Sequence, residues 1–171
     1  MPDIVVSPLS RLAETALMHR PRDMVTLLNI GTLIDRPDCI VPDRHLFLGF
    51  NDIVEDMPGM TPPSAQHVEK LIGFASGWDR EAPLLIHCFA GISRSTAAAY
   101  VVACALNPDI DAAKLATLLR ERSPSATPNI RLVRLADDML GRGGRMVDAV
   151  NAIGRGADAF EGVPFVLPLE V

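Results

Sequence analysis

The chain has 171 residues, 49% of them hydrophobic, which is enough apolar material for one substantial core in a single domain spanning 1–171. Its formal net charge of −5 argues against nucleic acid or an anionic membrane as a general partner, because both call for a broad basic surface. No apolar run reaches the roughly eighteen residues of a membrane span. The first residues lack a charged-then-apolar secretory pattern, and three cysteines fit a reducing compartment better than a disulfide framework, so a cytoplasmic protein is expected.

Along the chain, Ile4-Val5-Val6 reads as an edge strand and Ser10 to His19 as a short amphipathic helix with a serine cap. Met24 to Ile30 reads as a buried strand. Gly31 and the run from Arg36 to Asp43, with two prolines, form a loop before a strand over Leu46 to Phe50. Thr61-Pro62-Pro63-Ser64 opens a helix whose Ala65, Val68, Leu71, Ile72, Ala75 and Trp78 recur at helical spacing and form a core stripe. Pro83-Leu84-Leu85-Ile86 reads as a buried strand, and the chain is helical from Ser93, apolar nearly all round from Ala97 to Leu106. Pro108-Asp109 begins the next helix, with Leu115, Leu118 and Leu119 inward. Asn129 caps one carrying Leu132, Leu135, Ala136, Met139 and Leu140. Gly141 to Gly144 interrupts the pattern, Met146 to Ile153 forms a last helix, and the apolar segment Phe160 to Val171 closes an extended tail, 155–171, expected to dock on its own domain.

The chemistry concentrates between the Pro83–Ile86 strand and the helix that follows, in His87-Cys88-Phe89-Ala90-Gly91-Ile92-Ser93-Arg94-Ser95. The five residues Phe89, Ala90, Gly91, Ile92 and Ser93 allow a tight loop whose N–H groups converge as a nest for one phosphate. The helix N-terminus adds unpaired amides and partial positive charge, which favour both a phosphate dianion and a thiolate at Cys88. Arg94 offers a planar, permanently charged fork for two phosphoryl oxygens, for binding and transition-state stabilisation. Gly91 gives the crown of the loop backbone freedom and leaves room for the phosphate. Ser95 can donate to the cysteine sulfur as it leaves, and His87, facing away from the substrate, orients the loop. A free cysteine is more often a buried structural thiol, and that reading would stand for Cys88 without Gly91, Arg94 and Ser95. Four histidines are too scattered for a metal site, and no cofactor is called for.

His-Cys-x5-Arg-Ser resembles the signature of the protein tyrosine phosphatase superfamily, and the Ser93-Arg94-Ser95 ending is most similar to its dual-specificity branch. Leu46-Phe47-Leu48-Gly49-Phe50-Asn51-Asp52 resembles that family's strand into a general-acid loop, and Ser125-Ala126-Thr127-Pro128-Asn129 its Pro-Asn turn, so the resemblance covers 24–140. Rhodanese- and arsenate-reductase-like loops usually differ in length or lack the Gly-x-x-Arg-Ser ending.

The resemblance implies a three-layer α/β domain, a mainly parallel sheet flanked by helices, with the site at the strand carboxyl ends. It implies hydrolysis of a phosphate monoester through a phosphocysteine, with a phosphorylated protein or small phosphoester as partner and phosphotyrosine as the first substrate class. Two carboxylates compete as general acid: Asp52, matched by position to the family's Asn-Asp, and Asp56, in a loop longer than usual. Inositol-lipid enzymes place lysines in this loop, where Phe89, Ala90 and Ile92 are uncharged. A non-catalytic phosphoprotein-binding module would use the same nest without needing Cys88. Cys39 falls in a polar loop and Cys104 on the apolar helix, while Arg120, Arg122, Arg131, Arg134, Arg142 and Arg145 read as a solvated face.

Overall fold

The computed structural model describes residues 3–171. Among them, strands β1 (Asp3–Pro8), β2 (Asp23–Leu28), β3 (His45–Gly49), β4 (Leu84–Cys88) and β5 (Phe165–Pro168) form one sheet in the order β3-β2-β4-β1-β5. The first four run parallel, and β5 lies antiparallel on β1. Buried on both faces, the interior strands are mostly apolar, as parallel strands are when helices cover them, with Ser7, Asp23, Thr26 and His87 as their buried polar positions. Alternation divides their side chains: Ile4, Val6, Val25, Leu27, Leu84 and Ile86 join the large core, whereas Val5, Met24 and Leu85 meet Leu12, Ala16 and Ile40 on the other side.

The smaller layer is built on α1 (Leu12–His19); the larger contains α2 (Ala65–Gly77), α3 (Arg94–Leu106), α4 (Ala112–Arg122), α5 (Ile130–Met139) and α6 (Arg145–Ile153). This is the expected three-layer α/β architecture. Helix α3 is buried from Arg94 to Cys104, which explains its lack of a polar face. Burial pushes the Cys104 thiol up to about 11, as befits a packing residue.

Several local expectations are corrected. Residues 4–6 lie in an interior strand, because the chain terminus returns as β5 and covers that side. Ser10 does not cap a helix: Leu9–Arg11 is a 3-10 turn, α1 starts at Leu12, and the Ser10 hydroxyl donates to Glu161 at 2.7 Å. β2 stops at Leu28, short of Ile30, and β3 is His45–Gly49. Pro108-Asp109 does not open α4; the Asp111 carboxylate caps it by accepting from Ala113 N–H. Met139 lies on the exposed side of α5.

The arginine face divides as well. Arg122, Arg134 and Arg145 are exposed, but Arg142 is buried and donates to the carbonyls of Cys104, Asn107 and Ile110, satisfying acceptors at and beyond the end of α3. Arg120 ties the carbonyls of Ser123, Pro124, Ala126 and Gly154, linking the Pro-Asn turn to the end of α6. Both were hidden in the sequence because their acceptors are backbone carbonyls, which every residue carries.

Candidate active site

The carboxyl ends of the four parallel strands meet at one edge and hand over to Leu9, Asn29, Phe50 and Phe89, the crevice where open α/β sheets place ligands. β4 ends on Cys88, 2% exposed, and α3 begins at Arg94. The intervening loop is held by its carbonyls. Phe89 O accepts from Leu9 N–H at 3.0 Å, Ala90 O from Gly162 N–H at 2.7 Å, Ile92 O from Thr127 N–H at 2.9 Å, and Ser93 O from Asn129 N–H at 3.2 Å. In a trans peptide the C=O and the next N–H point oppositely, so anchoring these carbonyls outward turns the amides of Ala90, Gly91, Ser93 and Arg94 the other way. Gly91 N–H indeed approaches Cys88 Sγ at 3.3 Å. Its φ of +69° and the Pro8 nitrogen only 2.8 Å from where a Cβ would sit make glycine necessary on two counts.

Around the sulfur, Cys88 Sγ donates to Ser95 Oγ at 3.1 Å as a thiol; ionised, it would accept from the same hydroxyl. Arg94 is 7% exposed, and its Nη1 donates to Asn29 Oδ1 and Phe50 O, each at 2.9 Å. Nε and Nη2 have no protein partner among the described residues, which leaves part of the fork for a bound anion. Asn29, at the tip of β2, is a contributor the sequence did not disclose, since a lone asparagine after a strand is an ordinary turn residue.

The structure separates the two carboxylates. Asp52 Oδ1 accepts from Ser93 Oγ at 2.8 Å and from Asn129 Nδ2 at 2.9 Å, which joins the loop after β3 to the phosphate loop and the Pro-Asn turn. Asn129 also caps α5 through Leu132 N–H, so one side chain fixes a helix and positions an acid. Asp56 is instead paired with Arg131 at 2.9 Å, its side chain 83% exposed. An open cleft of about 530 Å³ adjoins Asp52 and Ser93, walled by Thr127, Asn129, Asn151 and Arg155.

Next to Cys88 in the chain, His87 is fully buried, and its Nε2 lies 2.7 Å from Thr26 Oγ1, which lies 2.7 Å from His45 Nε2. The hydroxyl has one proton, so it donates to one imidazole and accepts from the other. His87 Nδ1 has no partner, and burial depresses the ring to about 4. His87 thus engages the neighbouring strand β2 through Thr26. Cys39 is exposed, and among the described residues no group of three or more His, Cys, Asp or Glu side chains is placed to hold a metal ion.

No family model matches this sequence, and none of the curated proteins does. Solved structures do match. The fold is similar to that of Cydia pomonella PTP-2 phosphatase (TM-score 0.64, 20% identity, 80% of this chain and 84% of that one). It is also similar to a mouse putative dual specificity phosphatase complexed with zinc tungstate (0.60, 13%, 84% of each) and to human DUSP28 (0.56, 17%, 84% and 99%). The chain has the fold of the dual-specificity and tyrosine phosphatases.

Proposed function

We propose that this protein hydrolyses phosphate monoesters, phosphotyrosine in proteins foremost, through a phosphocysteine intermediate. The observation carrying this reading is the contact of Cys88 Sγ with the Gly91 amide and the Ser95 hydroxyl at one strand-to-helix turn, whose Arg94 is held by Asn29 and Phe50 O with part of its fork unpaired. Cys88 attacks phosphorus while the bond to the ester oxygen breaks, and Arg94 and the loop amides hold the equatorial oxygens, whose charge is best met in the transition state. Asp52 protonates the leaving oxygen. It then takes a proton from the water that attacks the phosphocysteine, and the thiolate departs toward the Ser95 hydroxyl. The contacts to Ser93 and Asn129 favour Asp52 for this role, and the Arg131 pair holds Asp56 elsewhere. The scheme requires no metal or organic cofactor. Uncharged Phe89, Ala90 and Ile92 favour a phosphorylated side chain over a polyanionic inositol phosphate.

An aryl phosphate assay with tungstate binding by calorimetry tests the reading. Cys88→Ser should lose turnover yet still bind tungstate, because a hydroxyl is a far weaker nucleophile in a loop of similar shape. Wild-type turnover should survive chelation. Hydrolysis by Cys88→Ser, or a wild type that binds but never turns over, would overturn the catalytic reading. The second result would leave a phosphoprotein-binding module. A phosphopeptide panel then ranks tyrosine against serine and threonine esters.

A further inference from the structure

We infer that the chain's C-terminal segment is a strap that sets the phosphate loop, with Gly162 as its positioning residue. This rests on the proposed role of the Cys88 loop. After α6 the chain crosses the crevice edge almost wholly exposed, yet it is tied at intervals. Gly156 N–H donates to Thr127 Oγ1, Ala157 N–H to Pro124 O, and Ser10 Oγ to Glu161 Oε2, before β5 joins the sheet against β1. Between the last of these ties and β5, Gly162 N–H donates to Ala90 O at 2.7 Å, the shortest of the backbone bonds that anchor the loop's carbonyls.

The consequence follows from peptide planarity. Holding Ala90 O outward turns the Gly91 N–H inward, where it stands 3.3 Å from Cys88 Sγ. Without that anchor the peptide between Ala90 and Gly91 is free to rotate, because Gly91 tolerates φ of either sign. A flip would present a carbonyl oxygen, a repulsive partner, to both the sulfur and a bound oxyanion. Gly162 is also required sterically: a Cβ there would stand 2.6 Å from Gly91 O. The crown of the loop is thus clamped between Pro8, at the end of β1, and Gly162, just before β5. Paired β1 and β5 fix the two jaws relative to each other, Val6 lying opposite Phe165. The motif residues alone therefore do not determine the loop; a glycine some seventy positions downstream completes it.

Gly162→Ala tests the strap, with Leu71→Ala, a truncation in the buried face of α2, as a control for general destabilisation. Gly162→Ala should weaken tungstate binding at least fivefold, lower kcat/KM for an aryl phosphate at least tenfold, and speed amide exchange at Gly91 at least tenfold. Leu71→Ala should lower Tm while leaving tungstate affinity and Gly91 exchange unchanged. A folded Gly162→Ala protein with wild-type exchange at Gly91 and wild-type tungstate affinity would overturn the inference. Should Gly162→Ala not fold, Glu161→Ala decides: it removes the neighbouring tie to Ser10, so faster Gly91 exchange sustains the strap and unchanged exchange refutes it. The exchange measurement needs no catalysis. A wild type without turnover therefore sinks the phosphatase reading alone.

Discussion

Acid should destabilise this protein most strongly through His87, and the size of that residue's effect follows from its surroundings. Full burial lowers the ring from 6.5 to about 4, because protonation would place a charge inside the sheet and require Nδ1 to donate where it has no acceptor. Between those two values the unfolded chain binds a proton that the folded chain refuses, so stability rises with pH across that window and falls on acidification. The shift corresponds to about 3 kcal/mol when complete, of which about 2 kcal/mol is lost between pH 7 and pH 5. His45 and His67 are also depressed by burial and act in the same direction, so the isolating comparison is with His87→Gln, which can keep a polar contact to Thr26 but cannot titrate. Urea unfolding followed by the single, buried Trp78 at pH 7, 6 and 5 gives both free energies, provided the m-value stays constant. The wild type should lose about 2 kcal/mol more than His87→Gln over that range. Equal losses in the two proteins would refute the linkage and show that His87 is protonated, or accessible, in the folded state.

The catalytic assignments make further predictions. Arg94→Lys should lower kcat/KM by about 10²–10³ despite keeping its charge, since an ammonium cannot satisfy Asn29 and Phe50 O while presenting a planar fork; near-normal efficiency would make Arg94 structural only. Asp52→Asn should lose about 10²–10⁴ in rate with poor leaving groups and much less with activated aryl phosphates. Asp56→Asn, which only breaks an exposed pair with Arg131, should cause a small change independent of leaving group. The reverse pattern would make Asp56 the acid.

Composition and spacing made the layers legible and grouped the candidate site residues. Mostly apolar runs over 24–30 and 83–86 announced buried strands, and the polar-poor stretch 97–106 announced a buried helix, because burial leaves no position for a charge. Cys88, Arg94 and Ser95 were legible as one site because a tight loop between strand and helix brings residues within seven positions of one another together, whatever the rest of the chain does. Only the tertiary structure brought together groups distant in the chain. Asn29 holding Arg94, Arg142 closing α3, Thr26 bridging two histidines and Gly162 setting Ala90 are all contacts over 19 to 72 positions. The backbone groups among them are carried by every residue, and a lone Asn29 or Thr26 has no spacing signature. The different surroundings of Asp52 and Asp56 are of the same kind. Both lie in one exposed loop of unremarkable composition, and only the folded positions of Ser93, Asn129 and Arg131 separate them, because a carboxylate's role is set by the donors that reach it.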